Sequence, residues 1–220
     1  METGIFQELR DVIIKADRDQ ALNKVASAVE GGVDPTLLVT EGLGAAMTEL
    51  GRLWDEGATF LPEVLASAEL FKECMAVIEP YQLARGTKTE PLGRVVMGTV
   101  HGDLHDLGKN IVTIMLRTAG FEVIDLGKNV PIETFVRQVE ELKPDILGLS
   151  ALLTTTLIKQ KETIQALREA GVRQRVMVMI GGAPATEAWA GEIGADAYAA
   201  NAPDAVERAK KLVSTLKGGQ

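Results

Sequence analysis

Residues 94–118 read RVVMGTVHGDLHDLGKNIVTIMLRT. A short, nearly continuous apolar run (94–100) gives way to a loop of Gly, His and Asp. A stretch that reads as a helix (108–118) comes next. Strand, turn signal and helix in that order make one β–α unit. The pattern recurs downstream. Apolar runs fall at 122–125, 145–149 and 175–180, with a weak one at 197–199. Helical stretches occupy 132–142, 154–170, 186–190 and 203–216. Strands that are apolar throughout, rather than alternating, predict a parallel sheet covered by helices on both faces.

Five β–α units in about 125 residues suit a flavodoxin-like (Rossmann-type) five-stranded sheet of order 2-1-3-4-5. Upstream the period changes. Leu22, Val25 and Val29 recur at helical spacing after Asp17, and Gly31-Gly32 then breaks the chain. Asp34-Pro35 is a cap residue followed by a first-turn proline. A stripe of Val39, Leu43, Met47, Leu50 and Trp54 comes next. A second stripe, Leu61, Leu65, Ala68, Phe71, Met75 and Ile78, lies beyond the turn at Asp55-Glu56-Gly57. With a first helix near 5–15, this predicts an N-terminal four-helix bundle. The polar stretch 86–93 (GTKTEPLG) reads as a linker. The expected domains are therefore residues 1–88, helical, and 89–220, α/β.

Composition narrows the function. The chain has 220 residues, 46% hydrophobic and only 4% aromatic, with a net charge of −8. Its acidic balance and lack of a basic cluster argue against nucleic acid and anionic membrane surfaces as partners. No apolar run nears the ~20 residues of a membrane span, and the first ten residues lack a signal-peptide layout. Cys74 is the single cysteine, which excludes an internal disulfide. The expected location is cytoplasmic.

In the 2-1-3-4-5 topology, ligands bind at the carboxyl ends of strands 1 and 3, where the chain order reverses. The loop after strand 1 is His101-Gly102-Asp103-Leu104-His105-Asp106-Leu107-Gly108 and holds both histidines of the chain. Ser150-Ala151-Leu152-Leu153-Thr154-Thr155-Thr156 comes after strand 3, and Gly181-Gly182 ends strand 4. As a phosphate-binding P-loop the first loop fails: five residues separate its glycines, and Asn110 replaces the magnesium-binding hydroxyl. As a phospho-acceptor receiver the chain also fails, because Ser150 stands where the acid would. His105 is the better candidate. Asp103, two residues earlier, can accept its second ring proton, the arrangement that orients a metal-bound imidazole. Gly108 would let the chain turn into the helix. His101 has no such pairing and reads as a loop residue. A single protein ligand suits a metal that brings its own macrocycle better than it suits zinc.

Asp103-Leu104-His105-Asp106-Leu107-Gly108 resembles the D-x-H-x-x-G motif of corrinoid-binding proteins. Ser150-Ala151-Leu152 resembles their S-x-L element, and Thr156 falls where that family places a hydroxyl near the His–Asp pair. Gly181-Gly182 resembles their glycine pair, and residues 47–80 resemble the helical cap of methyltransferase corrinoid subunits. These include the methanol, methylamine and O-demethylase subunits, and the B12-binding module of methionine synthase is similar. Trp54 departs from the family's usual Phe, and the stretch after Tyr198 differs from its usual Tyr-x-x-Asp-Ala.

The resemblance implies a cobalamin or related corrinoid cofactor (methylcobalamin; cobalt) with His105 as lower cobalt ligand. It implies cofactor contacts from Asp103, Leu104, Asp106, Leu107, Gly108, Ser150, Leu152, Thr154, Thr156, Gly181, Gly182 and Tyr198, and a methyl-face lid including Met47 and Trp54. It implies a carrier that catalyses nothing alone. A substrate:corrinoid methyltransferase would load it, and a methylcorrinoid:tetrahydrofolate (or thiol) methyltransferase would unload it. A reductive activase would repair it. The donor stays open among methoxylated aromatics, methanol, methylamines and betaines. Two alternatives are a cobalamin-dependent regulator and a detached cofactor domain of an adenosylcobalamin mutase. The first needs a DNA-binding domain and a Trp-x9-Glu-His element, whereas Trp54 is followed by Glu63 one place early and by no His. The second usually lacks the helical cap.

Overall fold

The computed structural model describes residues 2–85 and 90–218. The chain divides into two compact units, Met1–Glu90 and Pro91–Gln220. Part of the expected linker, residues 86–89, lies outside the described residues.

The first unit is helical. α1 (Glu2–Ile14) and α2 (Arg18–Glu30) are joined at Asp17, whose carboxylate caps α2 by accepting from Gln20 N. α3 begins at Pro35–Leu37, with Asp34 as cap. It passes without a break through a π-helical segment, Leu38–Gly44, into Ala45–Asp55. α4 spans Leu61–Ala84, with Glu63 reaching back to Phe60 N at 2.6 Å. α1 packs against α2 and α3, and α2 against α4. These helices bury Leu9, Ile13, Val25, Leu38, Leu43, Leu50 and Ile78.

The expected stripe of α3 is buried at Leu43, Met47 and Leu50; only at its start does Leu38 take the buried place, with Val39 half-buried. Along α4 the buried face is Val64, Ser67, Ala68, Phe71, Cys74 and Ile78, while Leu65 is exposed and Leu61 half-buried. Ser67 is what hid this face. Its hydroxyl donates to Ile13 O at 2.8 Å, so a polar residue occupies a core position.

The second unit is a five-stranded parallel sheet of order β2-β1-β3-β4-β5. Its strands are β1 (Arg94–Thr99), β2 (Glu122–Asp125), β3 (Ile146–Ser150), β4 (Met177–Gly181) and β5 (Ala197–Ala199). Its helices are α5 (Leu107–Thr118), α6 (Ile132–Leu142), α7 (Thr154–Glu169), α8 (Glu187–Ile193) and α9 (Ala202–Gly218). One apolar layer joins Val96, Leu147, Leu149, Val178 and Ile180 to Phe135, Ile164 and Leu167. The opposite layer joins Val95, Met97, Ile146 and Met179 to Leu116, Ala205 and Ala209. Strand residues alternate between the two layers, and this is why the runs read as continuously apolar.

Candidate functional site

The strand order puts the reversal between β1 and β3, so their carboxyl ends open a crevice. The loop after β1 enters it. Gly102 adopts φ +83°, a left-handed conformation that glycine takes without strain, and turns the chain so that Asp103 points inward. Asp103 is fully buried. Its Oδ1 accepts from His105 N at 3.0 Å and lies 2.8 Å from His105 Nδ1. Its Oδ2 accepts from Leu152 N (2.8 Å), Leu153 N (3.3 Å) and Thr156 Oγ1 (2.6 Å).

Burial by itself would raise the Asp103 pKa. The hydrogen bonds from Thr156, His105 and Leu152 outweigh it and hold the carboxyl well below the usual carboxylate range. An ionised Asp103 can only accept, so His105 Nδ1 must carry the proton. Nε2 is the ring nitrogen that Asp103 does not engage, on a side chain about half exposed at 51%. The loop therefore presents one imidazole nitrogen in an orientation set by the carboxylate.

Around it the expected residues sort into groups. Leu104 (62%), Leu107 (60%) and Leu152 (44%) are large apolar side chains left exposed on the rim. Asp106 precedes α5 and lies 3.9 Å from Lys128 Nζ. Thr154 opens α7 and is exposed. Ser150 is half-buried and pairs in register with Thr99 and Gly181. Gly182 has φ +119°, and a Cβ there would lie 1.8 Å from Ala151 O, so only glycine lets the two backbones approach.

The remaining expected residues have other settings. Gly108 does not turn the chain. It lies inside α5, where an added Cβ would meet nothing within 4 Å, and the turning glycine is Gly102. Tyr198, on β5, packs half-buried against the apolar layer. Met47 is 3% exposed and Trp54 half-buried, both in the helical unit. His101 is exposed in the loop.

Three polar arrangements were not read from the sequence. Lys109, 2% exposed, pairs with Asp125 at the end of β2, its Nζ 2.6 Å from Oδ1. Gln160, fully buried, donates to Leu149 O and Gly181 O, both at 3.0 Å, and accepts from Trp189 Nε1. It ties together the ends of β3 and β4. Asn129 reaches the His105 loop from the loop after β2. Only Asn129 left a sequence signal, in the turn-forming run Gly127-Lys128-Asn129 between apolar residues.

Two models of a B12 binding domain match the chain, one over residues 93–210 and the other over residues 5–79. The chain belongs to the family of B12-binding corrinoid proteins. Its relatives include the dimethylamine corrinoid protein 2 of Methanosarcina acetivorans, 46% identical over 95% of this chain and 96% of that one. The trimethylamine corrinoid protein 1 of the same organism is 44% identical over 95% and 97%. Among solved structures, the methanol:cobalamin methyltransferase complex of Methanosarcina barkeri matches with a TM-score of 0.83. It is 32% identical, over 96% of this chain and 80% of that one. A cobalamin-binding protein from Desulfitobacterium hafniense matches with a TM-score of 0.79 and 32% identity, over 94% and 98%.

The residues present fit a corrinoid. Among the described residues no group of three or more His, Cys, Asp or Glu could hold a bare metal ion. One oriented imidazole does suit a metal already ringed by a macrocycle. The exposed leucines beside it suit an apolar ring edge. This corrinoid protein binds its cofactor as a member of the methyltransferase-system class.

Proposed function

We propose that the chain is a methyl carrier in which His105 is the lower cobalt ligand. It would accept a methyl group from a substrate methyltransferase and pass it to a second methyltransferase acting on tetrahydrofolate or a thiol. The observation that carries this reading is the His105–Asp103 pair: a buried carboxylate 2.8 Å from Nδ1, which turns Nε2 away from it on a half-exposed ring. When bound, the corrin's cobalt supplies the centre on which the methyl group rides, chemistry that belongs to the cofactor.

The chain's own residues ligate, orient and shield. Asp103 holds the proton on Nδ1 and makes Nε2 a stronger donor. Thr156 and the amides of Leu152 and Leu153 keep Asp103 in place. Ser150, Gly181 and Gly182 keep the rim between β3 and β4 low, so a cofactor tail meets backbone rather than side chains. Leu104, Leu107 and Leu152 give apolar contact, with Asp106, Gly108, Thr154 and Tyr198 completing the surroundings. The helical unit, residues 1–88, would shield the methyl face through Met47 and Trp54, with residues 89–220 as the cobalamin-binding domain.

Relatives named for dimethylamine and for trimethylamine match at nearly equal identity. Donor choice therefore rests with the partner methyltransferase. A reductive activase is the third partner, and the cytoplasm is the compartment for all of them.

The test is electron paramagnetic resonance of the full chain loaded with cobalamin and reduced to Co(II). Splitting by one imidazole nitrogen is expected, altered when histidine carries nitrogen-15 and lost in His105→Gly. A spectrum free of nitrogen coupling would sink the ligation. Methyl transfer from a purified substrate methyltransferase to the loaded chain, with a full mass balance, tests the carrier role.

A further inference from the structure

β2 ends at Asp125, but the chain after it does not leave β1. Leu126 N donates to Met97 O (2.8 Å), Thr99 N to Gly127 O (3.0 Å) and Val130 N to Thr99 O (3.0 Å). Val130 then bridges Val100 in parallel register. Between these points residues 127–129 bulge outward, and Asn129 adopts φ +52°. In that conformation Asn129 grips the His105 loop twice. Its Oδ1 accepts from Gly102 N at 2.7 Å, and its own N donates to Asp103 O at 2.9 Å.

Asp103 is thus held from both sides of β1. Its carboxylate is fixed by donors that come after β3, and its backbone by Asn129, which comes after β2. The turn also closes on itself, with Asp103 N donating to Val100 O at 3.1 Å, but that bond ties the loop only to its own strand end. The carboxylate contacts and Asn129 tie it to the segments on either side. Both together hold the peptide two residues before His105.

We propose that Asn129 is a positioning residue for His105: by clamping Gly102 and Asp103 from the β2 side, it keeps the imidazole in the orientation that reaches cobalt. The inference rests on His105 being the lower ligand. The competing explanation is that Asn stands at 129 only because it tolerates positive φ. Two variants separate the explanations. Asn129→Gly suits the backbone even better but removes the side-chain acceptor. Asn129→Asp keeps an acceptor oxygen for Gly102 N and still tolerates the conformation.

The full chain, wild type and both variants, is loaded with hydroxocobalamin and reduced to Co(II). The fraction showing imidazole nitrogen splitting is then measured. Amide exchange at Gly102 is monitored in the same three chains without cofactor. The ratio of His-on to His-off should fall about tenfold in Asn129→Gly, and Gly102 exchange should quicken about tenfold, as expected for one lost hydrogen bond. Asn129→Asp should stay close to wild type in both. If Asn129→Gly matches wild type, the residue serves only its backbone and the proposal is overturned. Equal loss in both variants overturns it as well, because the acceptor would then not be the cause. If no chain shows nitrogen splitting yet Gly102 exchange quickens only in Asn129→Gly, the clamp stands and the ligation by His105 is what fails.

Discussion

The helical unit and the rim of the sheet are held together by different physics. Fully buried side chains such as Leu9, Ile13, Leu38 and Leu43 carry the first, with Ser67 as a polar tie between helices. At the rim one carboxylate, that of Asp103, joins two segments, its own loop and residues 152–156, through five hydrogen bonds. Charge divides the same way. Residues 1–90 hold 16 of the 31 acidic residues and 8 of the 23 basic ones, whereas residues 91–220 hold 15 of each. The whole excess of −8 therefore lies in the helical unit. An apolar core depends on volume and leaves surface charge free to vary. A polar rim depends on direction, and it ties up its charges in pairs such as Lys109–Asp125 at the carboxyl end of β2.

That contrast can be broken most sharply at Gly182. Gly182→Ala forces a side chain into φ +119° and against Ala151 O, so backbone must move. Stability should fall by about 4 kcal/mol, read from the denaturant midpoint of the sheet unit. An unchanged midpoint would mean that the close approach of the two backbones is not required.

In the helical unit, Met47→Ala removes a side chain 3% exposed. A loss of about 3 kcal/mol is expected for such a cavity. Because no titrating group is involved, the loss should be the same at pH 4 and pH 7. A pH-dependent loss would contradict a purely apolar core.

Asp103→Asn should behave the opposite way. The Asp103 pKa is lowered in the folded chain, so the carboxylate adds stability that is fully present above the unfolded value of about 4. That contribution is lost as pH falls below it. The variant should be less stable than wild type by about 2 kcal/mol at pH 7, and the difference should start to shrink below about pH 4 and go on shrinking toward the lowered folded value. Parallel unfolding curves from pH 3 to pH 7 would show that the carboxylate charge is not what organises the rim.

The smallest effect belongs to the helix ends. Asp34→Ala removes the acceptor for Thr36 N, 2.7 Å away, at the start of α3. About 1 kcal/mol is expected, visible as a small shift of the helical transition with the sheet transition unmoved.

Much of this molecule is legible in local pattern. The five strands appear within a residue or two of the apolar runs, and the order 2-1-3-4-5 agrees with the β–α alternation. His105 and Asp103 stand out because two residues of separation bring a carboxylate to an imidazole within one loop. The phase of α4 was only partly legible. Apolar residues lie on more than one side of this helix, and a core serine, Ser67, occupies its buried face without a hydrophobic signal.

The sequence by itself determined the alternation of elements, the rim at the carboxyl ends of β1 and β3, and the histidine and carboxylate paired on it. All of these depend on residues near one another in the chain. Only the tertiary structure decided what holds that histidine still. Asp103 meets Leu152 across 49 positions and Gly102 meets Asn129 across 27, and Gln160 ties two strand ends that no periodicity links to it. Hydrogen bonds are directional and short-ranged, so such partners exist only once the sheet has brought their segments side by side.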